Sequence, residues 1–315
     1  MSYLYNRISN KLLKSNFVYD SEERITISFY KYCDISNPTL IRNNLYTGFN
    51  DLNILGRIYI ANEGINAQIS VPIKNYTIMK AYLFTLCNQF YHFNMNHALD
   101  RKQSFWSLRV KVRNKIVADG FNEDVLFDNK NVGVYLTASR VNMMLDDNDV
   151  TFIDMRNIYE YEVGHFENAV VIYKNTFRDQ LKVIVDLFHN KKNKKIVMYC
   201  TGGIRCEKAT FWMKINGFKK IYHIYGGILG YVHDAKKNKL PIRFKGKNFV
   251  FDARLGERVS KDIISYCHQC YEACDTHRNC NYNFCHKLFI QCISCNETFY
   301  GCCSVNCFDQ LYGII

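Results

Sequence analysis

Cys200 begins the segment Cys200-Thr201-Gly202-Gly203-Ile204-Arg205, which follows an apolar, β-prone run and precedes a helix-forming stretch. A cysteine between a strand and a helix N-terminus is placed to be a thiolate, because unpaired backbone N–H groups and the helix dipole favour negative charge there. We therefore expect Cys200 to be catalytic. Arg205 would fold the loop and stabilise negative charge, and Gly202 and Gly203 would allow close backbone approach.

Two other interpretations of the cysteines in this segment stay open. A buried structural cysteine is the alternative for Cys200, since free cysteines are among the most buried residues. Cys206 follows six residues later. We expect it to fill space in the first helical turn, with a resolving thiol as the alternative.

The elements around this loop alternate between strands and helices. Val150–Ile153, Ala169–Ile172, Lys195–Tyr199 and Ile221–Ile224 are predicted strands, with helices between them. That order predicts an α/β domain with a mostly parallel sheet. The active site of such a sheet lies at the carboxyl ends of its strands, where Cys200 falls.

The first part of the chain has a different pattern. Residues 1–20 are a polar lead without periodicity, and Arg24–Tyr32 alternates like a strand. Strand-like runs follow within Gly56–Val71 and at Leu108–Val112, with helical spacing over Tyr76–Phe90. This β-α-β-β-α-β-like order predicts a ferredoxin-like or acylphosphatase-like α+β domain. We place the domains at residues 1–125, 126–245 and 246–315.

One strand carries a row of positive charges. Arg109, Lys111, Arg113 and Lys115 share one parity, so they project from one face of the Leu108–Val112 strand. Neighbouring charges then lie about 6–7 Å apart, which suits a phosphodiester backbone. We predict an RNA-binding face, with an ordinary solvated strand face as the alternative.

The last region is rich in cysteine. Ten of the 14 cysteines lie between Cys267 and Cys307. Cys267-x-x-Cys270 and Cys292-x-x-Cys295 form two knuckle-like pairs, and four thiolates complete a tetrahedral zinc site. We expect at least one structural zinc ion there, because so small a tail has little apolar core and needs a cross-link to be stable. A cluster of reduced thiols and an Fe–S cluster are the alternatives. The further candidate ligands, left unassigned, are Cys274, His277, Cys280, Cys285, His286, Cys302, Cys303 and Cys307.

Length and composition limit the class of protein. The chain has 315 residues, 48% of them hydrophobic, and a formal net charge of +12 that lies on residues 1–245. The charge is compatible with a polyanionic partner, although an AT-rich genome would also enrich Lys. No apolar run is long enough to span a membrane, and the N-terminus lacks a secretory signal. We expect a cytoplasmic protein whose cysteines form no disulfides, with neither a membrane nor DNA as partner.

Residues 131–240 resemble a rhodanese domain. The Cys-Thr-Gly-Gly-Ile-Arg loop matches that family's six-residue active-site loop. Asp154-Met155-Arg156-Asn157, the segment Tyr161–Ala169 with its Gly164-His165 pair, and Tyr225-Gly226-Gly227-Ile228 match its other signatures. Related phosphatases have a loop one residue longer. The resemblance therefore implies sulfur chemistry, with Cys200 able to carry a persulfide.

The whole chain, over roughly residues 20–310, resembles the rhodanese-domain tRNA uridine hydroxylases. The matching segments are Asn62–Asn66, Lys111–Val117, the Cys200 loop, Phe249–Arg258, Cys267–Cys270 and Cys274–His277. The resemblance implies O2-dependent 5-hydroxylation of the wobble uridine (position 34) in tRNA anticodons, with Cys200 as the essential cysteine. O2 would be a co-substrate and the anticodon stem-loop the partner. The sequence carries no flavin or NAD signature.

Three alternatives to this function remain at the level of sequence. A sulfurtransferase would carry a persulfide on Cys200 to a small thiol or to tRNA. A non-catalytic, zinc-bearing RNA-binding protein would not need Cys200. A phosphatase is disfavoured by the length of the loop.

Overall fold

The computed structural model describes residues 4–6, 8, 12–13, 22–90, 93, 95–122 and 124–313. The predicted polar lead at residues 1–20 lies largely outside them. No helix in these ranges is long and apolar enough to cross a membrane.

The first region is a five-stranded sheet with two helices. Its elements are β1 (Arg24–Tyr32), α1 (Pro38–Asp51), β2 (Leu55–Ala61), β3 (Gly64–Pro72), α2 (Tyr76–Leu86), β4 (Asn96–His97) and β5 (Leu108–Val112). Asn37 caps α1 by accepting a hydrogen bond from the backbone N–H of Leu40, and Pro38 occupies the first helical position. Both helices cover an aliphatic core that includes Ile58 and Leu83.

The strand order β4-β1-β3-β2-β5 confirms the ferredoxin-like arrangement for the first four strands. The position of the basic strand differs from the prediction, because the sequence pattern makes it the fourth strand of this arrangement. In the structure β4 is the fourth strand, and the basic strand, β5, pairs in parallel with β2 at the opposite edge of the sheet. β4 has only two residues, too few for a periodic pattern to be visible.

The central region is a parallel sheet between two layers of helices. Its elements are β6 (Val134–Leu136), α3 (Ala138–Leu145), β7 (Val150–Asp154), α4 (Ile158–Glu162), β8 (Gly164–Phe166), β9 (Val170–Val171), α5 (Phe177–Leu187), β10 (Lys195–Tyr199), α6 (Ile204–Ile215), β11 (Lys220–Ile224) and α7 (Gly227–Lys237). The sheet order is β6-β11-β10-β7-β9, and every pair in it is parallel. The predicted parallel sheet is thus confirmed, with β6 as an edge strand that the sequence analysis missed.

The last region is built from short elements: β12 (Phe244–Asn248), β13 (Glu257–Arg258), β14 (His277–Asn279), β15 (Leu288–Ile290), α8 (Ile293–Phe299) and α9 (Val305–Tyr312). β12 pairs with β8, so this region is joined to the central one by a ladder. Two small apolar clusters hold the rest, and cysteines make up much of each.

The first and central regions meet at α6, directly behind the Cys200 loop. Lys208 on α6 is 1% exposed, and its Nζ lies 2.6 Å from an oxygen of Asp119 and also contacts Glu63. The Tyr32 hydroxyl donates to the carbonyl of Ile204 at 3.2 Å. A buried cation with two carboxylate partners is costly to separate, so this junction fixes the first sheet against the loop.

Candidate active site at the Cys200 loop

The Cys200 loop occupies the carboxyl end of β10, as the sequence pattern predicts. Gly203 has φ +101°, a left-handed conformation that favours glycine, and it is the N-cap of α6. In this position its backbone N–H donates to Cys200 Sγ at 3.1 Å. Cys200 is 1% exposed, so its sulfur is held by the loop and not by bulk water.

The surroundings of Cys200 stabilise its charged form. Burial alone would raise the pKa of this thiol. The hydrogen bond from the Cys206 thiol, the positive charge of Arg205 and the N–H of Gly203 together lower the pKa to about 6. Burial and the adjacent thiolate raise the pKa of Cys206 well above its usual value. At neutral pH the loop therefore holds one thiolate and one neutral thiol.

Arg205 is oriented by a carboxylate that the sequence analysis did not single out. Its two terminal nitrogens donate to the two oxygens of Glu160 at 2.8 and 2.9 Å, and Glu160 is fully buried. Glu160 also closes the capping box of α4 with Asn157. Its place four residues before Gly164, in the rhodanese-like signature, is the signal that could have identified it.

The N-terminus of α7 clamps the loop from the other side. The N–H groups of Ile228 and Leu229 donate to the carbonyls of Cys200 and Thr201 at 2.9 and 3.2 Å. A Cβ on Gly227, which has φ +64°, would lie 2.4 Å from the Cys200 carbonyl oxygen. The close approach of these two backbones therefore requires glycine at this position.

A cavity of about 480 Å³ opens in front of the loop. This volume lies in the range of small-molecule sites. All three regions contribute to its walls. They include Tyr30, Arg57, Tyr59, Asn66, Gln68, Asn96, Arg113 and Lys115 from the first region, Cys200, Thr201, Gly202, Ile204 and Arg205 from the central one, and Phe251, Arg254 and Glu257 from the last.

The basic strand reaches this cavity at one end. Arg113 lines the cavity, with its guanidinium 5.6 Å from the ring centroid of Tyr59. Arg109 and Lys111 are exposed on β5, next to Arg57 and Tyr59 in the register of the parallel pair. These side chains extend a basic surface from the cavity outwards along the sheet edge.

Lys115 is partly buried, whereas Arg109, Lys111 and Arg113 are exposed. The Nζ of Lys115 donates to Asp119 Oδ1 at 2.6 Å. Asp119 also accepts a hydrogen bond from Lys208 Nζ, so its carboxylate is shared between two lysines. Lys115 is thus a paired wall of the cavity, whereas the parity argument treats it as an exposed strand residue.

A buried carboxylate lies behind the loop on α6. Glu207 is 4% exposed and accepts hydrogen bonds from the hydroxyls of Tyr30 at 2.7 Å and Tyr135 at 2.8 Å. Burial raises the pKa of Glu207, and the nearby Cys200 thiolate adds to the effect. Of the two tyrosines, Tyr30 lines the cavity, with its hydroxyl proton directed at Glu207.

The two cysteine knuckles of the tail come together. One ligand atom from each of Cys267, Cys270, Cys292 and Cys295 lies within 4.8 Å of all the others. The Sγ atoms of Cys270 and Cys292 are 3.6 Å apart. In a tetrahedral zinc site with bonds of about 2.3 Å, sulfur atoms lie about 3.8 Å apart, so this donor set fits zinc. The other candidate ligands in the tail divide into a second group of four cysteines (Cys280, Cys285, Cys303, Cys307) and residues outside both groups (Cys274, His277, His286, Cys302).

Comparison with known families divides the chain into three consecutive matches. Residues 24–116 match the UPF0176 acylphosphatase like domain, residues 137–234 the Rhodanese-like domain and residues 245–308 the Rhodanase C-terminal family. These matches agree with the α+β first region and the parallel sheet of the central one.

Similar proteins extend over almost the whole chain. One from Buchnera aphidicola subsp. Acyrthosiphon pisum (strain Tuc7), named tRNA uridine(34) hydroxylase, is 54% identical over 310 residues, covering 98% of this chain and 95% of that protein. A protein of the same name from Escherichia coli O81 (strain ED1a) is 56% identical over 308 residues, covering 98% and 88%. Another, from Hamiltonella defensa subsp. Acyrthosiphon pisum (strain 5AT), is 54% identical over 312 residues, covering 99% and 88%.

Proposed function

The chain belongs to the tRNA uridine(34) hydroxylase family, and on that premise we propose that it hydroxylates C5 of the wobble uridine in tRNA in an O2-dependent reaction. Cys200 is the reacting group. The observation that carries the proposal is a thiolate, with its pKa lowered to about 6, on the wall of a cavity that is continuous with a basic strand. The reaction takes place in the cytoplasm, where the anticodon stem-loop is the partner.

The cavity suits a single nucleotide turned out of its stack. Chemistry on a base requires an unstacked, unpaired nucleotide, and an anticodon loop supplies one at low cost. Tyr30 and Tyr59 offer aromatic surface in the cavity, and Asn66, Gln68 and Asn96 offer amides. These are the groups that stack on a pyrimidine and hydrogen-bond to its edge.

The basic surface binds the RNA backbone. Arg109, Lys111 and Arg113 contact phosphates along the β5 edge, and Lys115 is held at the cavity wall by its pair with Asp119. Phosphate contacts of this kind fix orientation and carry no sequence information. Uridine selection therefore belongs to the cavity and tRNA affinity to the strand.

The reaction begins when the Cys200 thiolate adds to C6 of the uridine. This step moves the electron pair of the C5–C6 double bond to C5. Two equivalents of a thiol reductant reduce O2 to the oxidation level of peroxide and leave as a disulfide. C5 takes one peroxide oxygen, and the other leaves as water. Loss of the C5 proton then expels the thiolate and restores the double bond.

Arg205 and Glu160 serve this chemistry by position. The bidentate pair holds the guanidinium beside the sulfur, where its charge favours the thiolate before attack and after expulsion. Tyr30 donates its hydroxyl proton to Glu207, so its hydroxyl oxygen faces the cavity as a hydrogen-bond acceptor.

The sulfurtransferase and the non-catalytic binding protein, both considered from the sequence, are not favoured by the names of the relatives. A persulfide on Cys200 would nevertheless block the addition to C6, since the terminal sulfur would then be the nucleophile. The proposal therefore requires the free thiolate in the reacting state.

Incubation with an unmodified anticodon stem-loop RNA tests the activity. The purified chain is incubated with the RNA and a thiol reductant under air or argon, and the nucleosides are analysed by mass spectrometry. We expect 5-hydroxyuridine under air and none under argon. Formation of 2-thiouridine, or equal product under argon, would overturn the proposal.

A stem-loop with 5-fluorouridine at position 34 tests the covalent step, because fluorine at C5 cannot leave as a proton. We expect a protein–RNA adduct with wild type and with Cys33→Ser, whose thiol lies outside the cavity walls. Cys200→Ser should give no adduct. An adduct that persists in Cys200→Ser would assign the addition to another residue.

A further inference from the structure

A second group of four thiols lies in the tail beside the first. Cys280, Cys285, Cys303 and Cys307 each place a sulfur within 4.8 Å of the other three. Cys285 Sγ lies 3.6 Å from Cys303 Sγ, and Cys303 Sγ lies 3.7 Å from Cys307 Sγ. These separations match the sulfur spacing of about 3.8 Å in a tetrahedral zinc–thiolate site and far exceed a disulfide bond of about 2.05 Å.

The two groups are built on the same local plan. In each group, a short loop carries the first two cysteines, and a backbone hydrogen bond closes that loop. The N–H of Cys267 donates to the carbonyl of Glu272, and the N–H of Cys280 donates to the carbonyl of Lys287. The residue after the second cysteine is left-handed in both loops, with φ +63° at Tyr271 and +54° at His286. Such a conformation is costly for these side chains, so its recurrence indicates a shared requirement.

The second halves of the two groups also correspond. Cys292 and Cys295 lie at the start of α8, and Cys303 and Cys307 at the start of α9. The N–H of Cys292 donates to Cys267 Sγ at 3.4 Å, and the N–H of Cys303 donates to Cys280 Sγ at the same distance. Backbone donors aimed at sulfur stabilise thiolates, the form that binds metal.

We propose that Cys280, Cys285, Cys303 and Cys307 bind a second zinc ion, and that the two zinc sites cross-brace the tail. Along the chain, a pair from the first group alternates with a pair from the second. Neither ion can therefore be bound by a continuous half of the tail. Each zinc site instead cross-links chain segments that lie on both sides of a cysteine pair of the other site.

The packing of the tail shows why two ions are needed. The second group lies in an apolar cluster whose fully or partly buried members include Phe289, Phe308 and Leu311. Cysteines make up five of the nine members of that cluster, so it buries little aliphatic surface. A domain of this size is usually held by metals or disulfides. Zinc supplies that stabilisation without oxidising the thiols.

Cys302 offers a matched control inside the same cluster. It is fully buried and adjacent to Cys303, yet it belongs to neither group of ligands. Cys303→Ser and Cys302→Ser therefore make the same chemical change at neighbouring positions. Only the first should remove a metal ligand.

Metal analysis of the purified full-length chain tests the proposal. We expect two zinc ions per chain in wild type and in Cys302→Ser, and one in Cys303→Ser. Chain produced with Co²⁺ should show tetrahedral thiolate–cobalt absorption, with an amplitude halved by Cys303→Ser. One zinc ion per wild-type chain, or iron with inorganic sulfide, would overturn the proposal. Two zinc ions retained by Cys303→Ser would also overturn it. The wild-type ratio decides the question even if Cys303→Ser does not fold.

Discussion

Cys200 and the cysteines of the tail show how surroundings select the chemistry of one side chain. Cys200 lies beside the neutral Cys206 thiol, and it borders a cavity with Arg113 and Arg205 in its walls. Eight of the ten tail cysteines form two groups of four, with all sulfur atoms of a group within 4.8 Å. A single thiolate facing a cavity is a nucleophile, whereas four converging thiols bind a metal ion.

The two regions also differ in what holds their thiols in place. The Cys200 loop rests on a buried parallel strand and is clamped by the N-termini of α6 and α7. In its described residues, 246–313, the tail consists of short strand pairs and two short helices with little core of their own. A large scaffold can hold one reactive thiol in place, whereas for the tail we propose zinc ions in that role.

The largest expected contrast is between two thiols of the same chain. The pKa of Cys200 is lowered to about 6, and burial raises the pKa of Cys33 to about 11. The rate of alkylation of Cys200 by a small reagent should therefore be constant above about pH 6 and fall tenfold per pH unit below it. The rate for Cys33 should fall in the same way below about pH 11. Peptide mass spectrometry after timed alkylation measures both. Equal pH profiles would remove the electrostatic distinction between Cys200 and an ordinary cysteine.

Glu160→Gln should test whether the scaffold of Cys200 depends on one ion pair. Removing the carboxylate leaves the buried Arg205 without its partner, which should lower the free energy of unfolding by about 3 kcal/mol. Urea denaturation measures the change. Glu162→Gln, on the same helix but with a part-exposed side chain, is the control and should change stability little. Similar losses in both variants would mean that the pair has no special role.

Removal of metal should affect the active site through the tail. Tyr159, next to Glu160, packs on Phe249 and His277, and Phe251 lies 5.9 Å from the Arg205 guanidinium. A chelator that strips the tail should therefore lower the hydroxylation rate on the order of tenfold, since small displacements of reacting groups are costly. Added zinc should restore the rate. Full activity in metal-free protein would separate the tail from catalysis.

Arg113→Ala should have the smallest of these effects, because it removes one cation from the cavity side of β5. We expect the KM for tRNA to rise several-fold and the slope of log affinity against log salt to fall by about 1. Lys220→Ala, an exposed lysine at the start of β11, is the control. An unchanged salt slope in Arg113→Ala would place the RNA elsewhere.

Much of the Cys200 loop was predictable because its signals are local. The strand, the loop and the helix around Cys200 follow each other directly in the chain, and the resemblance to a rhodanese domain is confirmed by the family match. Glu160 was missed because its bond to Arg205 crosses 45 residues and leaves no periodic pattern. The contribution of Phe251 and Arg254 to the cavity was missed for the same reason.

The tail marks a different limit of sequence reasoning. Cys267, Cys270, Cys292 and Cys295 were grouped from their spacing, because two Cys-x-x-Cys pairs form a known pattern, and the structure brings these four thiols together. Cys280-x₄-Cys285 and Cys303-x₃-Cys307 have irregular spacings. Only the folded arrangement separates them from Cys274 and Cys302.

The most direct test of the central claim is the nucleoside content of tRNA from cells that lack this gene and carry a plasmid-borne copy. Wild type and Cys33→Ala should restore 5-oxygenated uridine at position 34, as measured by mass spectrometry at matched protein levels. Cys200→Ala should restore none. Restoration by Cys200→Ala would contradict the account, since the nucleophile would then lie outside the Cys200 loop.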